Sequence, residues 1–135
     1  MSQLGTSTET FGAGDQSWLG SRHGTDVAKT VTLDPADWSA KISDGRIKSG
    51  EPYALVDGLA VPYDADAKVG GEGADKDNPG PAAILAGFLL TDQSVTSGRG
   101  NVTAPGVWHG RIILSNLPST VAADAVTSGQ FLLEA

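Results

Sequence analysis

The chain has no cysteine among its 135 residues, which excludes disulfides and thiolate metal sites. Basic residues are few and scattered: nine Lys and Arg stand against sixteen Asp and Glu, a net charge of −7. A nucleic-acid partner would leave a clustered cationic footprint, so none is expected. No apolar run approaches the roughly 20 residues of a membrane-spanning helix, and no membrane association is expected. The first residues lack the charged start and apolar centre of a secretory signal. That predicts synthesis in a cytoplasm, with use there or release by lysis. Aromatics make up only 6% of the chain, and no window carries a long 3.6-residue period that would mark a long amphipathic helix.

What is abundant is punctuation. Eighteen glycines and seven prolines make a turn-rich chain, since both are poor residues for helix interiors. The expected fold class is β-rich α/β, mainly β with one or two short helices, in one small domain. The expected organisation is a flexible N-terminal arm over residues 1–26 and a domain over residues 27–135. The arm is rich in Gly, Ser and Thr and offers little to bury against the entropy of ordering. Met1–Gly14 reads as a disordered tail. Phe11, Trp18 and Leu19 are costly to leave in water and read as anchors for a partner surface.

The clearest local signal is Gly50–Tyr63, GEPYALVDGLAVPY. Two apolar runs, Tyr53–Val56 and Leu59–Val61, flank Asp57-Gly58, which predicts a hairpin with a type I′ turn. Pro62 donates no backbone hydrogen bond, so the second run ends there or lies at an edge. Ala82–Leu90 is expected to be the most buried strand, placed beside this hairpin. Val27–Leu33 alternates, with Val27, Lys29, Val31 and Leu33 on one face, and reads as a strand of the domain or one lent to a neighbour. Asp34-Pro35 signals the start of a short helix that Ser43-Asp44-Gly45 ends, with Trp38 packing onto the core. Asp64–Pro81 is a long charged loop of the kind that is functional or mobile. Thr91–Asn101 is a turn-rich connection, and Val102–Leu114 holds strand material. Leu117–Val126 is expected to open a short helix, and Phe131-Leu132-Leu133 to form a terminal strand.

Catalytic and metal-binding patterns are weak. His23 and His109 are the only histidines, and neither has a second ligand at a metal-binding spacing. Asp64-x-Asp66 begins like a calcium loop but meets Lys68 where an acid or amide is needed. Gly70–Asp75 matches the start of a calcium nonapeptide once, with Asp77 in an apolar position. Gly12-Ala13-Gly14 neither follows a strand nor precedes a helix, and no nucleophile elbow is present. No cofactor is implied, and a non-enzymatic role is expected. A β-rich module binding a carbohydrate or other ligand through the Asp64–Pro81 loop is the alternative.

The order of segments carries a family likeness. Trp18–Thr25 (WLGSRHGT) is followed by Thr30–Asp34, Ile47–Pro52 (IKSGEP), Leu59–Asp64 (LAVPYD), the Ala83–Leu89 strand, His109–Ile112 and Leu117-Pro118. This order resembles the lambda-type head decoration proteins of tailed bacteriophages, over nearly the whole chain from Trp18. The resemblance implies a homotrimer on the outer surface of the expanded capsid, at three-fold and quasi-three-fold sites. There it would bridge the major capsid protein and stabilise the head against packaged DNA. It implies a virion location after synthesis in the host cytoplasm, and an acidic protein separated from the genome by the shell. It also implies an arm that adds a strand to a capsid-protein element, with Trp18, Leu19, Val27, Val31 and Leu33 as the capsid-binding residues.

Overall fold

The structure is a computed structural model that describes residues 14–22, 24–65, 81–95 and 100–134, the Asp26 side chain excepted. Most of the Asp64–Pro81 loop, His23 and the Met1–Ala13 part of the expected tail lie outside the described residues. The fold is mainly β, with short 3-10 turns as its only helical elements among the described residues.

The first strand, β1, covers Lys29–Leu33. Val27 is not part of it. It closes a 3-10 turn, Thr25–Val27, and is half exposed. On β1, Val31 and Leu33 turn inward as the alternation predicts, while Lys29 stays exposed. The Asp34-Pro35 signal produces a turn and not an α-helix. Asp34 Oδ1 accepts the Ala36 amide at 3.0 Å, as an N-cap would, and its carbonyl accepts the Asp37 amide. The chain then continues into the 3-10 turn Ser39–Lys41 and goes no further as a helix. A helix this short cannot offset its nucleation cost alone. Trp38 decides the geometry instead: it is fully buried and donates from Nε1 to the Ala60 carbonyl at 2.8 Å.

Asp44-Gly45, expected as a helix stop, is a second tight turn, with φ of 54° and 73°. It leads into β2, Arg46–Ile47. The hairpin signal is matched closely. β3, Pro52–Val56, pairs antiparallel with β4, Leu59–Pro62, with Val56 opposite Leu59. Asp57 and Gly58 have φ of 52° and 82°, both positive as a type I′ turn requires. β4 ends at Pro62, although one more hairpin bond follows it, from the Tyr63 amide to the Pro52 carbonyl at 3.1 Å.

Ala82–Leu90 is shorter as a strand than expected. Pro81 presets a 3-10 turn over Pro81–Ala83, and Leu85 makes a single bridge to Thr127. Only β5, Gly87–Leu89, is a ladder strand, and all three of its residues are buried. It lies against β3, with Pro52 opposite Phe88. A short β6, Gln93–Ser94, pairs with β2. The Val102–Leu114 material divides into β7, Val102–Val107, and β8, His109–Ile113. The Leu117–Val126 helix does not form. A 3-10 turn at Leu114–Asn116 precedes open turns, and the Ala125-to-Ala122 bond at 3.1 Å closes only one of them. The terminal strand β9, Gln130–Glu134, runs parallel to β8.

Five strands close a barrel in the order β1-β4-β3-β5-β7. The β5/β7 wall is buried on both faces, because successive side chains of a strand point opposite ways. Leu89 and Ala104 join a cluster with Val31, Leu33, Trp38, Ile47 and Tyr53. Phe88 and Val107 join a second cluster with Trp18, Leu85, Ile112 and Val121, to which Phe131 and Leu133 of β9 add. Burial pushes the Tyr53 hydroxyl up to about 12 in the first cluster.

At Gly58 a side chain would meet nothing within 4 Å, so only the positive φ resists substitution. Gly58→Val is expected to lower stability by about 1–3 kcal/mol through backbone strain alone. Equilibrium denaturation measures this; an unchanged midpoint would mean that the turn relaxes to another type.

Candidate functional site

The N-terminal segment is the element that most separates the structure from its composition. Residues 15–22 are not a free arm: they form a strap along β8. Leu19 lies opposite Ile112 in an antiparallel bridge. The Gly20 amide donates to the Arg111 carbonyl at 2.8 Å, and the Ile113 amide donates to the Trp18 carbonyl at 2.7 Å. The packed body therefore includes residues 14–22 and does not start at residue 27. A single tryptophan accounts for this, because burying a large aromatic offsets the ordering of several small polar neighbours.

Side chains grip the strap from both sides. Asn116 Nδ2 donates to the Ser17 carbonyl at 3.0 Å, and Arg111 donates to the Gly20 carbonyl at 3.0 Å. Arg111 also holds Glu134 of β9 at 2.7 Å, so one guanidinium ties the strap, β8 and β9 together. Gln16 Nε2 donates to the Leu90 carbonyl at 2.7 Å. Asp15 Oδ1 accepts the Ser17 amide, and bonding to Ser17 holds its carboxyl below the usual range.

The Trp18 ring is fully buried and tilts against Phe88, with centroids 5.7 Å apart. Its Nε1 donates to Ser49 Oγ at 3.1 Å, and that hydroxyl donates onward to the Leu90 carbonyl at 2.8 Å. The Ser49 amide donates to Asp92 Oδ1 at 2.7 Å. Gly50 has φ of 90°, and a Cβ there would lie 2.7 Å from Trp18 Cδ1 and 3.0 Å from Pro118 Cδ. Glu51, only 4% exposed, accepts from Ser119 Oγ at 2.7 Å. Beside this hub opens a cleft of about 310 Å³ lined by Asp15, Lys48, Ser49, Asp92, Asn116 and Pro118.

The five residues expected to meet a partner are not gathered on one surface. Trp18 and Leu19 belong to the second cluster, and Val31 and Leu33 to the first, with the barrel wall between. Trp18, Val31 and Leu33 are core side chains of this chain, not exposed anchors. Val27 alone is well exposed; its carbonyl accepts Trp108 Nε1 at 2.7 Å, and Lys29 lies 4.7 Å above that ring. Phe11 lies outside the described residues. Sequence reasoning passed over Ser49, Glu51, Arg111, Asn116 and Ser119, whose roles depend on partners 23 to 99 positions away. The one signal, for Ser49 and Glu51 alone, was Lys-Ser-Gly-Glu, a polar run directly ahead of an apolar strand.

Among the described residues, no group of three or more His, Asp or Glu could hold a metal ion. No family model, no curated protein and no solved structure matches this chain.

The buried indole ranks two substitutions at this contact. Trp18→Ala removes a packed core aromatic and is expected to cost about 3–5 kcal/mol. Ser49→Ala leaves the ring in place with a buried N–H unpaired, which costs about 1–3 kcal/mol. Denaturant titration of both variants checks the ranking. A near-parental Trp18→Ala curve would mean the strap contributes little to the fold.

Proposed function

We infer that this chain is a structural virion protein: a homotrimer seated on the outer surface of an expanded phage capsid at three-fold and quasi-three-fold sites. There it bridges major capsid protein subunits and stabilises the head against packaged DNA. The reading rests first on the order of segments from Trp18 to Pro118, and a small, mainly β domain is compatible with it. The net charge of −7 suits a protein that a shell separates from the genome.

The order of segments carries the reading, and the strap narrows which residues are left to meet the partner. It docks by strand addition plus a tryptophan anchor, and its first described residue, Gly14, is exposed. On this reading residues 1–13, including Phe11, are the segment that meets the partner. The partner segment is therefore shorter than residues 1–26, because residues 15–22 are committed to the chain's own body. Exposed apolar side chains at Val27, Leu55, Val126 and Leu132 offer further contact area on the domain itself.

The mechanism is mass action without bond chemistry. Three segments on one trimer raise the effective concentration for the second and third contacts. A ligand that binds only the expanded lattice stabilises that lattice.

Purified protein is expected to co-sediment with expanded heads that lack it and to ignore unexpanded shells. Removing residues 1–13 should leave the melting curve near the parent's and weaken head binding by about tenfold or more, equivalent to about 1.4 kcal/mol. Occupancy against protein concentration measures both. No binding of the full chain to expanded heads would overturn the reading; equal occupancy of the two forms would move the contact to the domain surface.

A further inference from the structure

Glu51 is the least comfortable group among the described residues. It is a carboxyl at 4% exposure, and its Oε2 is buried without a hydrogen-bond partner. A buried polar atom left unpaired costs free energy, and a buried charge costs more unless it is matched. The match here is partial. Oε1 accepts from Ser119 Oγ at 2.7 Å, and Ser119 Oγ in turn accepts from Lys41 Nζ at 3.1 Å. Three separate pieces of chain meet at this point: the turn Ser39–Lys41, the run ahead of β3, and the open stretch after Asn116. The last covers the second cluster through Leu117 and Val121.

We propose that Lys41, Ser119 and Glu51 form a pH-responsive clasp, closed when Glu51 is protonated and loosened when it ionises, that holds residues 117–121 over the Trp18 cluster. A protonated carboxyl needs no counter-charge in this site. An ionised one leaves Oε2 as a buried, unpaired anionic oxygen, and the nearest relief is water. That water would enter from the cleft whose lining includes Ser49 and Pro118.

The charged surroundings fix the direction. Burial raises the Glu51 carboxyl above its usual value, and the Ser119 bond, Lys41 and Lys48 oppose this with smaller effects. Asp92, the nearby acid, is bonded to the Ser49 amide. A closed state with the higher proton affinity gains on the open state as pH falls and loses to it as pH rises. The loosening therefore starts near the ordinary glutamate range and is complete above the raised value. This is opposite in sign to a salt-bridged carboxylate, which loses its grip in acid.

Amide hydrogen exchange of the full chain, followed by mass spectrometry from about pH 4 to about pH 8 and corrected for intrinsic rates, tests the clasp. Exchange over residues 114–126 should rise by about threefold or more across this range, with β1 unchanged as the internal reference. Glu51→Gln, neutral and isosteric, should exchange at a pH-independent rate over the same residues. Lys41→Gln removes an opposing cation and should move the transition to higher pH with the acid still in place. A constant ratio between Glu51→Gln and parent across the range, or a Lys41→Gln transition at the parent's pH, would overturn the proposal.

Discussion

The seating of Trp18 against Ser49 is the contact on which most of the molecule depends. The indole fills the space between the barrel wall and the β8–β9 layer, and its N–H is satisfied by one hydroxyl. That hydroxyl belongs to a four-residue run, Lys48 to Glu51, whose other groups hold further pieces of chain. The Ser49 amide fixes Asp92, the Gly50 amide takes the Leu89 carbonyl, the Leu89 amide takes the Glu51 carbonyl, and the Glu51 side chain takes Ser119. Gly50 permits this because the indole and Pro118 both press on the place where a side chain would stand. These groups have distant partners, so a change at any of them spreads across the fold.

The same arrangement explains how so modest a chain builds two cores. Small domains bury a limited share of their surface, and a single barrel of short strands leaves its outer face wet. Here β5 and the Val107 end of β7 are covered on both sides, by the barrel contents on one and by the strap and β8–β9 on the other. The strap works as an extra strand, bound by main-chain bonds and by Arg111 and Asn116 reaching its carbonyls. It has the features of a peptide recognised in a groove, with an aromatic anchor and backbone pairing, although the peptide belongs to the same chain.

In the proposed role the domain works through placement. The buried acid at Glu51 sits where three segments of chain meet. What the fold presents outward is an acidic surface with separated apolar residues. In the proposed role, affinity would be built from several weak contacts repeated by symmetry.

Local chemistry alone determined the features that rest on a few adjacent residues. Asp57-Gly58 between two apolar runs dictates the hairpin, and the Val31 and Leu33 alternation dictates which face of β1 turns inward. The shortage of helical periodicity dictates a mainly β chain. Tertiary structure decided what depends on distant partners. Averaged over 26 residues the N-terminus reads as an arm, yet one indole finding a slot 31 positions away at Ser49 makes part of it core. The Asp34 cap is real but yields only a turn, since Trp38 is pulled down onto the Ala60 carbonyl. Leu117–Val126 has the residues of a short helix and is held open instead, with Ser119 drawn to Glu51 and Val121 into the second cluster. Turn and strand preferences act over two to six residues at about 1 kcal/mol or less each. A buried aromatic or a buried acid outweighs several of them together, and its partner cannot be read from its neighbours in the chain.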